Sequence, residues 1–107
     1  MKIALASPTL TKTIAEGLSQ LENLAKEAAD QEAVIVCFPE SFIPGYPSTE
    51  NKVEKATADD LQNALQKACA IAAKNSTTII LPMDWHEADK FLNVAFVISA
   101  KGEVLGY

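Results

Sequence analysis

Ala33-Val34-Ile35-Val36-Cys37-Phe38, running straight into Pro39-Glu40-Ser41, is the stretch whose reading decides the fold. Six apolar residues without polar alternation predict a strand covered on both faces, the pattern of a parallel sheet sandwiched by helices. Upstream, Ile3 to Ala6 is a second apolar run, closed by Ser7-Pro8 because proline has no donor for the ladder. Between the two lies a helical pattern. Thr13 and Glu16 stand at capping-box spacing, and Ile14, Leu18, Leu21, Leu24, Ala25 and Ala28 form one apolar stripe with most of the charges outside it. Strand, helix and strand in so few residues make a βαβ unit, whose right-handed crossover sets the first two strands parallel.

Downstream, Ser41 to Ala56 shows neither period and reads as a long ordered loop, with Pro44-Gly45 suited to a type II turn. Thr57, Asp59 and Asp60 predict the start of a second helix, because a hydroxyl cap and first-turn acids complement its free amides and dipole. Leu61, Leu65, Ala68, Cys69 and Ala72 form its stripe, and Asn75 is expected as a left-handed stop. Thr77 to Leu81 reads as a strand ended by Pro82, followed by a polar stretch with Trp85 and His86. Val94 to Ile98 and Glu103 to Leu105 read as strands joined across Ala100-Lys101-Gly102. The expected order is β-α-β-α-β-β. An exposed apolar edge after Leu105 is a liability that domains normally hide. The expectation is therefore one incomplete domain over residues 1–107, continued by further chain or completed by another.

Composition narrows the function. With 107 residues, 49% apolar and 21% charged, the chain can bury a core of its own. A formal charge of −5 leaves no basic stripe for a phosphate backbone, so nucleic acid is not an expected partner. No apolar run approaches the roughly 20 residues of a membrane helix, and Met1-Lys2 leads into a strand instead of a signal core, so a cytoplasmic protein is expected. Cys37 and Cys69 both sit in apolar periodic segments and read as core residues, not a disulfide. Cys37 and Glu40, three positions apart on a regular strand, would point oppositely.

In open α/β sheets ligands collect beyond the carboxyl ends of the parallel strands. That directs attention to Ser7-Pro8, Pro39-Glu40-Ser41 and Pro82-Met83-Asp84. Glu40 follows the most buried strand at the root of the long loop. A partly desolvated carboxylate there suits a general base, although position alone fits a cap or a surface ion pair as well. Tyr46 could present its ring and hydroxyl to a substrate beside Glu40, or serve only loop packing. His86-Glu87-x-x-Lys90 lacks the second histidine of a zinc helix, so His86 is expected as a solvated loop residue. Asp84 and Trp85 could line a pocket mouth. Asn93 is expected to satisfy backbone groups, and Lys101 to be a solvated turn residue.

The segment Val34 to Pro47, with Phe38-Pro39-Glu40 and Gly45-Tyr46-Pro47, closely resembles the first signature of the nitrilase, or carbon–nitrogen hydrolase, superfamily. Asn93-Val94-Ala95 and Lys101-Gly102-Glu103-Val104-Leu105-Gly106 are similar to that family's later strand and Gly-Glu turn. The resemblance implies a layered α-β-β-α sandwich, present here only as its N-terminal portion. It also implies a Glu-Lys-Cys mechanism on a nitrile or small amide, without metal or organic cofactor. Glu40 would be the base, and the Lys and Cys would lie beyond Tyr107, so the 107 residues alone are expected to be inactive. A homo-oligomer is expected of the complete form. Two other readings stay open: an inert fragment or small α/β binding module, and a metal-dependent phosphoesterase, for which strand one lacks the early Asn and only one His exists.

Overall fold

Thr13 starts the first helix much as its spacing with Glu16 predicts. Its hydroxyl accepts from the Glu16 amide at 3.1 Å, while the Glu16 carboxylate accepts from the Lys12 amide at 2.9 Å, one residue before the position of an ideal box. In the computed structural model, which describes residues 1–107, this helix (α1) spans Ile14–Asp30 between β1 (Ile3–Leu5) and β2 (Ile35–Cys37). A complete capping box between Thr57 and Asp60 opens α2 (Ala58–Asn75). Three strands follow: β3 (Thr78–Glu87), β4 (Lys90–Ile98) and β5 (Val104–Gly106). The order is thus β-α-β-α-β-β-β: all five strands named from the sequence are present, one more than the expected order counted.

The five strands form one sheet in the order β1-β2-β3-β4-β5, with β1, β2 and β3 parallel and the rest antiparallel. Strands added in one direction, with crossovers of one hand, put both helices on one face. The core follows. Leu21, Ala25 and Ala28 of α1 and Leu61, Ala64, Ala68 and Ala72 of α2 pack on Val36, Ile79, Leu81, Met83, Phe96 and Ile98 of the sheet. Facing residues of this size and apolarity supply the main stabilisation.

The strand expected to be covered on both faces is covered on one. Val36 and Phe38 are buried, but Ile35 and Cys37, on the opposite face, are only half-buried. Their neighbours on that face, Ile3 and Leu5, are 51% and 81% exposed. Both helices are spent on the other face, so a central apolar strand here meets solvent. No helix is long and apolar enough to cross a membrane.

Two expectations about where elements end fail for identifiable reasons. Pro82 does not stop β3, which runs on to Glu87. Even-numbered residues of β3 turn their backbone towards β2, as the bonds Phe38 N–H to Ile80 O and Asp84 N–H to Ile43 O show. Because β2 ends at Cys37, the donor that proline lacks falls in the gap before Ile43, where no ladder bond is lost. His86 therefore lies on a strand, still exposed, and a two-residue turn at Ala88-Asp89 closes a long β3–β4 hairpin. The helix stop is also shifted: Ser76, not Asn75, takes the left-handed conformation (φ 50°), and the Asn75 amide donates back to the Ile71 carbonyl at 2.9 Å.

Candidate functional site

The loop after β2 is held by its own sequence. Phe38 and Phe42 bracket Pro39-Glu40-Ser41 with ring centroids 4.9 Å apart. Ser41 adopts a left-handed backbone (φ 48°), a conformation uncommon outside glycine, which turns the chain sharply. Ile43 then rejoins the sheet beside Met83, donating to the Pro82 carbonyl at 3.4 Å and accepting from the Asp84 amide at 2.9 Å. Further along, the Asn51 side-chain amide donates to the carbonyls of Thr11 (3.1 Å) and Tyr46 (2.9 Å), tying the Tyr46 turn to the loop after β1. Gly45 has the positive φ expected of it, but at 144° the turn is not type II.

These loops converge as the strand-end argument anticipates. Pro8, Thr9, Leu10 and Thr11 from the first and Pro39, Glu40, Phe42 and Tyr46 from the second line a hollow of about 200 Å³. Tyr46 is 49% exposed at its rim. Glu40 is exposed too, which corrects the expectation of a desolvated carboxylate: the face of the sheet beside it carries no covering layer in these 107 residues. It is nonetheless fixed, because Asn93 Nδ2 donates to its Oε1 at 2.8 Å.

Asn93 is therefore not engaged with backbone as expected; it serves the carboxylate. It faces Asp84 directly across the β3–β4 ladder, and Asp84 Oδ1 accepts from Ser41 Oγ at 3.3 Å. Met83 and Phe96 point into the helix-side core, so alternation puts Asp84 and Asn93 on the open face. Cys37 is on that face as well. The expectation that Cys37 and Glu40 point oppositely fails because the strand ends at Cys37 and the chain then turns. They are still not partners: Cys37 shares a row with Ile80 and Val97, four residues from Asn93, or roughly 13 Å along a strand. Trp85 is on the helix side, edge-on to Phe96 at 4.9 Å, and is a packing residue. Cys69 is half-buried on α2, and burial pushes its thiol pKa up, which disfavours the reactive thiolate. Lys101 is exposed in the turn before β5, as expected. No three His, Cys, Asp or Glu side chains converge as a metal-ligand set.

Asp84 has an acidity of its own. Burial raises its pKa above the ordinary 3.8, outweighing the Ser41 hydrogen bond and the nearby His86, which lower it. A carboxyl with a raised pKa in the folded state binds its proton more readily folded than unfolded. Stability therefore falls as pH rises from 3.8 through the folded value and is level above it. Asp84→Asn is expected to remove this decline, checked by urea unfolding across that interval; an identical pH slope in both proteins would show that Asp84 does not cause it.

Comparison with known proteins adds to this geometry. Residues 2–107 match the carbon-nitrogen hydrolase family. An aliphatic nitrilase from Sinorhizobium fredii (strain HH103) is 36% identical over 93 residues, which make up 83% of this chain and 28% of the nitrilase. Among solved structures, an amidase from Nesterenkonia sp. superposes with a TM-score of 0.86 at 22% identity, over 99% of this chain and 41% of the amidase. A mutant of the Nesterenkonia sp. AN1 amidase in complex with butyramide gives a TM-score of 0.85 at 22% identity, over 98% of this chain and 41% of its own. The fold is thus the α/β fold of these proteins, in part. The chain spans less than half the length of each.

Proposed function

This chain belongs to the carbon-nitrogen hydrolase family, and from that premise we propose that it supplies the general base, Glu40, of an enzyme that hydrolyses a small nitrile or amide. The observation that carries the reading is the Glu40 carboxylate at the edge of a small hollow, held by Asn93 at 2.8 Å beyond the carboxyl ends of two parallel strands. Residues 1–107 form part of a single longer domain. Its Lys and nucleophilic Cys are contributed by chain outside these residues, and the 107-residue piece alone is inactive.

Glu40 takes the proton of the cysteine thiol as the sulfur attacks the substrate carbon. With an amide, the carbonyl oxygen gains charge, which the lysine ammonium stabilises. The tetrahedral adduct then expels ammonia, which carries away the proton returned by Glu40, and leaves a thioester. Water, deprotonated by the same carboxylate, cleaves the thioester to the acid and restores the thiol. With a nitrile the first adduct is a thioimidate, and addition of one water precedes loss of ammonia. Tyr46, at the rim of the hollow, contacts the substrate. The hollow of about 200 Å³ suits a short aliphatic chain. The complete form is a homo-oligomer that uses no cofactor.

Ammonia release from aliphatic nitriles and small amides, measured for the complete polypeptide and for the 107-residue chain, tests this. Turnover is expected from the first alone. A folded complete polypeptide inert towards both series would overturn the reading in favour of a binding module, and turnover by the short chain would refute the division of the catalytic residues.

A further inference from the structure

Glu40 and Ser41 are consecutive, and each is tied by its side chain to one member of an opposed cross-strand pair. Asn93 Nδ2 donates to Glu40 Oε1 at 2.8 Å, Ser41 Oγ donates to Asp84 Oδ1 at 3.3 Å, and Asp84 and Asn93 face each other across the β3–β4 ladder. From this juxtaposition we propose that Asn93 is a positioning residue for Glu40, setting which carboxylate oxygen receives the proton; the inference rests on Glu40 being the base.

A glutamate on a solvent-facing loop turns about three side-chain bonds, and its two oxygens are equivalent until something distinguishes them. The Asn93 amide does so. It occupies Oε1 and leaves Oε2 as the oxygen open to a thiol proton. The donor stands on a strand, where its own placement is set by the nine-residue pairing of β4 with β3. The loop is stitched to that same hairpin by the Ile43 backbone bonds and by Ser41, so base and donor move as one body. The residue type also fits. A neutral amide cannot lose its proton and orients the carboxylate without the opposite charge of a Lys or Arg, which would hold the anion more tightly and weaken it as a base. Packing does not account for Asn93 being there, because it is exposed and outside the core.

The test uses the complete enzyme. Asn93→Leu is expected to lower kcat by about 10- to 100-fold, the scale of a misplaced catalytic group, with KM changed less than about two-fold. Added to Glu40→Gln, the same substitution should cost less than about two-fold more, because the base it positions is already gone. The side-chain amide protons of Asn93, followed by NMR, should shift when Glu40 is changed to Ala. Wild-type kcat in folded Asn93→Leu, an undiminished loss in the Glu40→Gln background, or amide signals indifferent to Glu40 would each overturn the positioning role. A wild type that turns over neither nitriles nor amides fails differently: it removes the base itself, and Asn93's role with it, whatever the amide signals show.

Discussion

Glu40→Gln in the complete enzyme is expected to lower kcat by about 10²- to 10⁴-fold, the range a positioned general base contributes. Glutamine keeps the shape of the side chain and an oxygen that can accept from Asn93, so the contact at 2.8 Å survives. What it loses is the ability to take a proton. Because Glu40 is exposed and outside the core, stability should change by no more than about 0.5 kcal/mol. Steady-state kinetics paired with a thermal melt separate the two effects. Wild-type turnover from the folded variant would remove Glu40 from the chemistry.

Gly45→Ala should be the most damaging small substitution in the loop. Gly45 sits at φ 144°, which an L side chain rarely adopts, and a Cβ there would collide with the Thr11 carbonyl oxygen. That oxygen is backbone and is already bonded to the Asn51 amide at 3.1 Å, so it cannot yield without opening the loop. The expected loss is about 2–4 kcal/mol, in the upper part of the range for single substitutions because steric overlap and backbone strain act together. Chemical denaturation would measure it. The hollow beside Glu40 has walls from both loops that meet here, so affinity for substrate should weaken in whatever fraction stays folded. A variant as stable as wild type would mean that the loop rearranges freely at this point.

The parallel half of the fold was legible because its signals are local. Thr13 with Glu16, Thr57 with Asp60, and the helical stripes around Leu21 and Leu61 each announce an element within a few residues, and all are found in place. The antiparallel half was read less well. Glu87-Ala88-Asp89-Lys90 has no Asn-Gly or Gly-containing pair to announce a two-residue turn, and Ala88 takes a positive φ (55°) that alanine rarely adopts. Pro82 looked like a terminator because its tolerance depends on where the neighbouring strand ends, which one strand's sequence does not disclose. The site divides the same way. Glu40 could be found from its place after β2 and from the Phe38-Pro39-Glu40 resemblance, but its partner is 53 residues away and is brought to it only by the sheet. The one hint was a polar residue at the start of an apolar strand, which a backbone role explains equally well. The exposure of Glu40 was missed because an apolar run does not say how many of its faces the same chain can cover.

The strand order 1-2-3-4-5 also bears on how the chain is made. Each strand lies beside the one synthesised just before it, so none waits for a distant segment to leave the ribosome. Loop-closure entropy is met in small instalments, a topology that favours rapid, vectorial assembly during translation. The Glu40 loop would thus find β3 and β4 in hand shortly after it emerges, and its contact with Asn93 can form as soon as that hairpin does.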